Sequence, residues 1–151
     1  MEFAASFALV MPELVLIAAG LGLLLAAAWG GDKAARPIAI AAAAALFAAG
    51  FLLVPGLHTG AVGPSTLAFG GLFKIDSFAL FAMALIYLAA IGALIIAPAF
   101  FDGPAAGAER GMRAEYPVLI VFAAVGMGIM VSANDLMSLY LGLELNSLAA
   151  Y

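Results

Sequence analysis

The chain has 151 residues, of which 68% are hydrophobic and 9% charged, with a formal net charge of −4. A water-soluble domain is nearer half apolar and a quarter charged, so this chain cannot cover a water-facing surface and belongs in a lipid bilayer. It holds no cysteine and one histidine, which excludes iron–sulfur clusters, thiolate zinc sites, disulfides and a bis-histidine haem within it.

Long apolar runs separated by short charged breaks indicate helices, because a membrane barrel shows short alternating segments. The expected fold is all-α: a polytopic transmembrane bundle of about five helices, roughly at 9–29, 37–54, 76–97, 116–132 and 135–151. The first run has no positive segment ahead of it and is too long for a signal peptide, so it stays as a membrane helix. Glu13, within a turn of its start, is expected at the membrane interface, and Trp29 at its other end suits the aromatic belt. Gly20 and Gly22 read as close-packing positions between helices. Lys33 and Arg36 mark the first break. Pro37 suits the first position of the second helix, where its lacking N–H costs nothing.

The loop from Pro55 to Ile75 holds His58, expected in solvent. It also holds two short β-prone runs, Thr66 to Phe69 and Leu72 to Ile75, around Gly70-Gly71, which predicts a small hairpin. Asp76 or Ser77 caps the third helix, and Pro98 closes it. Glu109, Arg110 and Arg113 lie in the next polar connection, from Ala105 to Glu115. The fourth helix, with Gly126 and Gly128 as packing sites, is followed after about three residues by the fifth, so the two form an antiparallel hairpin. Asn134 and Asp135 both read as helix caps there. Lys33, Arg36, Arg110 and Arg113 share one side of the membrane and Lys74 stands on the other. The positive-inside rule then places the N-terminus outside. The fifth helix, about 25 Å long, falls short of a hydrocarbon core of about 30 Å and has no polar flank. An N-terminal fragment of a longer protein is therefore expected, with 1–151 forming a single incomplete membrane domain.

Glu144 is the residue to explain. It lies nine residues past Asp135, about 13.5 Å along the helix and near the bilayer midplane, where a carboxylate costs about 3 kcal/mol on insertion scales. Helical spacing puts Tyr140, Ser147 and Tyr151 on its face as possible support, with Met137, Leu141 and Leu148, while Asn146 lies off it. A carboxyl poised between lipid burial and a neighbouring cation can exchange protons near neutral pH. The plainer alternative is a structural hydrogen bond to another helix. This chain supplies no midmembrane lysine, so a partner has to come from elsewhere. No Walker loop or strand-borne glycine fingerprint occurs, and nothing points to nucleic acid.

The run Val131-Ser-Ala-Asn-Asp135, then Leu139-Tyr-Leu-Gly-Leu-Glu-Leu145 and Ser147-Leu-Ala, resembles the subunit N family of bacterial respiratory complex I, the proton-pumping NADH:quinone oxidoreductase. Met11-Pro-Glu-Leu14 and Asp76-Ser-Phe-Ala-Leu-Phe81 also fit. The resemblance spans the chain, but its specific part is the last forty or so residues. It implies an antiporter-like membrane subunit of fourteen helices with two inverted five-helix repeats, of which this chain holds helices one to three and the first two of a repeat. Glu144 matches the family's helix-five glutamate, which pairs with a lysine on helix seven, and Asn146 departs from a glutamine in many relatives. The implied role is coupling electron transfer from NADH to quinone to proton translocation in the bacterial inner membrane, multi-pass, with a periplasmic N-terminus. The implied partners are other membrane subunits of the complex, the lipid bilayer and, for the whole enzyme, quinone. NADH, flavin and iron–sulfur clusters belong to other subunits, with no cofactor in this chain. Competing readings are a subunit of a multisubunit cation/proton antiporter, an inactive truncated membrane scaffold and a solute transporter.

Overall fold

A computed structural model describes Phe7, Val10 to Thr59, Thr66 to Gly103 and Gly111 to Tyr151, with the side chains of 55–59 and 66 left aside. Leu9, Glu109, Arg110 and the His58 side chain, on which expectations were placed, lie outside what is described. Five α-helices occur among these residues: α1 (Met11–Gly30), α2 (Ala35–Thr59), α3 (Ser77–Phe101), α4 (Glu115–Ser132) and α5 (Leu136–Ala150). Three stretches are long and apolar enough to span a bilayer: Met11–Val54, Ser77–Phe101 and Glu115–Ser132. The first of these holds two helices, α1 and most of α2, separated by the 3-10 turn Gly31–Ala34. Gly31 ends α1 at φ +58, a conformation open to glycine, and its N–H donates to the Ala27 carbonyl.

Three boundaries differ from expectation, each at a proline. Helix α2 begins at Ala35, so Pro37 is its third residue and not its first. The first four N–H groups of a helix have no intrahelical partner, so the third position tolerates proline as well. Helix α2 also runs through Pro55 to Thr59, and α3 runs through Pro98 to Phe101. Each proline removes one backbone bond within its helix's last turns, a loss that membrane helices accommodate. Beyond Pro98 the helix is closed by the Asp102 N–H donating to the Pro98 carbonyl at 2.9 Å.

The expected hairpin is present. Strand β1 (Thr66–Ala68) pairs antiparallel with β2 (Phe73–Ile75), with Thr66 opposite Ile75. The connection turns left-handed at Phe69 (φ +52), Gly70 (φ +67) and Gly71 (φ +97). A phenylalanine is strained there. Its ring is held edge-on by Phe7 at 5.5 Å and Phe73 at 6.3 Å.

End-to-end contacts establish alternating helix directions. At one end Arg36 Nη2 meets Asp102 Oδ2 at 2.7 Å, the Ala114 N–H donates to Asp32 Oδ1 at 3.4 Å, and the Phe101 and Tyr116 rings meet edge to face. At the other, Asn134 clamps the hairpin turn: its N–H donates to the Leu72 carbonyl at 3.0 Å and its Nδ2 to the Gly71 carbonyl at 2.8 Å. Asn134 therefore ties α4 to the hairpin and is not the helix cap expected of it. Helix α4 packs against α1, α2, α3 and α5, and its Val118, Val121, Ala124 and Val125 are fully buried. The outer surface is apolar too, with Ile40, Phe47, Phe78, Leu88 and Ile95 exposed and Trp29 exposed at the α1 end, as lipid requires.

Two aspartates start helices as expected. Asp76 accepts from the Ala79 N–H at 2.8 Å and pairs with Lys74 at 3.3 Å. Asp135 accepts from the Met137 and Ser138 N–H groups at 2.7 and 2.9 Å, and from the Ser138 hydroxyl at 2.8 Å. The Ala79 N–H, helped by Lys74, holds the Asp76 carboxyl below its ordinary value of 3.8. The Ser138 N–H, then its hydroxyl, does the same for Asp135. A lowered folded-state value means that the stabilisation is complete above pH 3.8 and drains away as pH falls through the folded value. Asp76→Ala is expected to lose about 1 kcal/mol at neutral pH and progressively less in acid. Thermal unfolding of both proteins from neutral to acid pH checks this, and a difference that persists undiminished in acid refutes it.

Candidate functional site

Helix α5 is seated on α4 through glycine. A Cβ on Gly126 would lie 2.7 Å from the Asn146 nitrogen and 2.9 Å from the Gly142 carbonyl, and one on Gly142 would lie 2.8 Å from the Gly126 carbonyl. Backbone meets backbone there, which only glycine permits. Gly142 and Ser138 are accordingly buried, and they define the packed face of α5. Gly20 packs against the Phe122 ring as expected, whereas Gly22 faces open space.

Two residues on from Gly142, and so about 200° around the helix, Glu144 is half-buried and turned away from the packed face. Its stripe is the open face of α5: Met137, Tyr140, Leu141, Leu148 and Tyr151 are all exposed. Tyr140 presents its hydroxyl to the Glu144 carboxyl one turn on. Ser147 donates to the Glu144 backbone carbonyl at 3.0 Å, not to the carboxyl, and the Tyr151 N–H returns to the Ser147 carbonyl at 3.2 Å. Of the three supporting residues, only Tyr140 therefore reaches the acid. The Asn146 backbone lies against Gly126 of α4. The Arg36–Asp102 and Lys74–Asp76 ion pairs stand at the two ends of the bundle and do not involve Glu144. No group of three or more His, Cys, Asp or Glu that could hold a metal occurs among the described residues.

A second acid lies where none was expected. Glu13 is 3% exposed and Tyr87 1% exposed, so the interfacial placement of Glu13 is corrected. The Glu13 side chain is enclosed within the bundle, near Tyr87 of α3 and Gly128 of α4. Both side chains converge on Gly128, where a Cβ would stand 3.8 Å from the Tyr87 hydroxyl and 3.9 Å from Glu13 Oε1 and Cγ. Glu13 Oε2 and Tyr87 Oη are wholly buried without a hydrogen-bond partner, and each such atom costs about 1–3 kcal/mol. The sequence did contain a signal: two polar groups, one carboxyl and one phenol, interrupting otherwise apolar spans.

Over its whole length the chain is similar to NADH-quinone oxidoreductase subunit N of several bacteria. It is 57% identical to that of Erythrobacter litoralis over 151 residues, 52% identical to that of Rhizorhabdus wittichii over 151 residues, and 46% identical to that of Rhodobacter capsulatus over 149 residues. Along its length the chain is thus similar to the subunit N family. It covers 100% of itself and 30% of the first two relatives, and 97% and 29% in the third, so it spans about three-tenths of the length of the curated relatives it matches. No family model matches the chain. The similarity to subunit N agrees with the resemblance carried by the α4–α5 segment.

Proposed function

We propose that this chain forms the opening helices of a proton-translocating membrane subunit of NADH:quinone oxidoreductase, with Glu144 as one half of an intramembrane charge pair. The observation that carries this reading is the open face of α5. An acid at about 13.5 Å along a membrane helix has one hydroxyl beside it and an otherwise apolar, exposed flank on which another helix can bring a cation. Intramembrane acids of this kind mark proton or ion paths. The pair acts electrostatically: a change in the charge state of Glu144 alters the proton affinity of its partner cation. Redox chemistry with NADH, flavin, iron–sulfur clusters and quinone is assigned to other subunits. Half a charge pair is no channel, so the 151-residue chain by itself is inactive in this reading. Lys33, Arg36 and Arg113 gather at the end opposite Lys74, which supports a cytoplasmic 30–36 side and a periplasmic N-terminus in the bacterial inner membrane.

A segment exchange tests the reading. Residues 1–151 replace the matching segment of the Rhodobacter capsulatus subunit, and NADH-driven proton uptake is measured in membrane vesicles. The hybrid is expected to assemble and to retain most of the uptake. A hybrid that inserts and assembles but translocates no protons overturns the reading.

A further inference from the structure

The partnerless atoms of Glu13 and Tyr87 are sealed by this chain itself. Leu16, Met83, Val121 and Val125, all in the same apolar cluster as Tyr87, are 0–1% exposed. No side chain from another subunit reaches a site closed in this way, so what satisfies it has to be small. The charged and titratable groups of the packed elements are already engaged or distant. On the hairpin, Lys74 pairs with Asp76. On α2, Arg36 pairs with Asp102 at the far end. On α4, Glu115 stands at the far end, and the nearby Ser132 hydroxyl donates to the Gly128 and Ile129 carbonyls. An ionised carboxylate in such a place has no counter-charge, and taking it out of water is the most expensive state it can adopt. The position of Glu13 in the first turn of α1 favours negative charge through the helix dipole, but that term is small beside desolvation. A proton removes the charge; because Glu13 Oε2 and Tyr87 Oη do not bond each other directly, one water between them can accept the carboxylic O–H and bond the phenol, which both accepts and donates.

We propose that Glu13 is a second proton-holding group inside the bundle, a neutral carboxylic acid, and that Tyr87 is the positioning residue, its hydroxyl linked to the carboxyl through one water between them. The site lies across α4 from α5: Gly126 faces α5 and Gly128 faces Glu13, whereas Glu144 stands on the far, open face of α5. The inference does not depend on the respiratory role of Glu144.

Infrared spectroscopy of the full-length protein in lipid near neutral pH tests it. The wild-type minus Glu13→Gln difference should show the C=O stretch of a protonated carboxyl that moves in heavy water. Tyr87→Phe, which removes one oxygen and keeps the ring packing, should shift that same band to higher frequency, giving a derivative-shaped difference even if Glu13→Gln does not fold. Carboxylate stretches in place of the carboxyl band overturn the neutral state, and a band unmoved by Tyr87→Phe overturns the pairing.

Discussion

Glu144→Gln in the complete protein is expected to lower NADH-driven proton translocation by about tenfold while the complex still assembles. The substitution keeps the size of the side chain and its ability to accept from Tyr140, and removes only the charge. Assembly should survive because Glu144 lies off the packed face of α5, which is built by Ser138 and Gly142. Translocation should not, because losing the acid changes the partner's proton affinity. One unit of that affinity is about 1.4 kcal/mol, a tenfold change in proton occupancy. Proton uptake by membrane vesicles, normalised to the amount of assembled complex, is the measurement. Wild-type uptake in the variant would remove Glu144 from the proton path.

Gly142→Ala is expected to destabilise the α4–α5 hairpin by about 1–3 kcal/mol, the usual consequence of overpacking. The new methyl would stand 2.8 Å from the Gly126 carbonyl and 2.9 Å from the Met130 nitrogen. Neither can swing aside, so the helices must separate. Gly126→Ala should behave alike, since it meets the Asn146 nitrogen at 2.7 Å. The better helix propensity of alanine offsets about 1 kcal/mol at most. Gly20→Ala should be milder, because what it meets at 3.2 Å is the outer edge of the Phe122 ring, and Gly22→Ala, facing open space, is the control. Unfolding in detergent followed by loss of helicity would rank the four. If Gly142→Ala proves as stable as Gly22→Ala, the close approach is wrong.

Much of the architecture was legible in the chain because lipid imposes one rule: an apolar segment must satisfy its own backbone hydrogen bonds. Five helices, the hairpin around Gly70-Gly71 and the caps at Asp76 and Asp135 all follow from local chemistry. The helix ends at Pro55 and Pro98 did not follow. A proline is a strong local stop signal, but near a helix end in a membrane its single lost hydrogen bond is too small to decide the boundary. Asn134 was misread for a related reason. Its residue type suits a cap, but a hairpin sixty residues earlier offered its carbonyls to the same side chain.

The two acids divide the same way. Glu144 could be singled out from sequence as a candidate because its position along one helix is a local quantity, and so could its stripe with Tyr140. That this stripe is the open face of α5 was decided by Gly126 and Gly142, which set which side of the helix meets α4. Glu13 stands in the first turn of its helix, and sequence alone read it as interfacial. Its burial against Tyr87 and Gly128 brings together three helices from distant parts of the chain. Composition and periodicity determined that this chain is a helical membrane protein and where its helices run. Which polar groups are shut inside it was settled only by packing, because burial depends on what neighbouring helices cover and not on the segment's own residues.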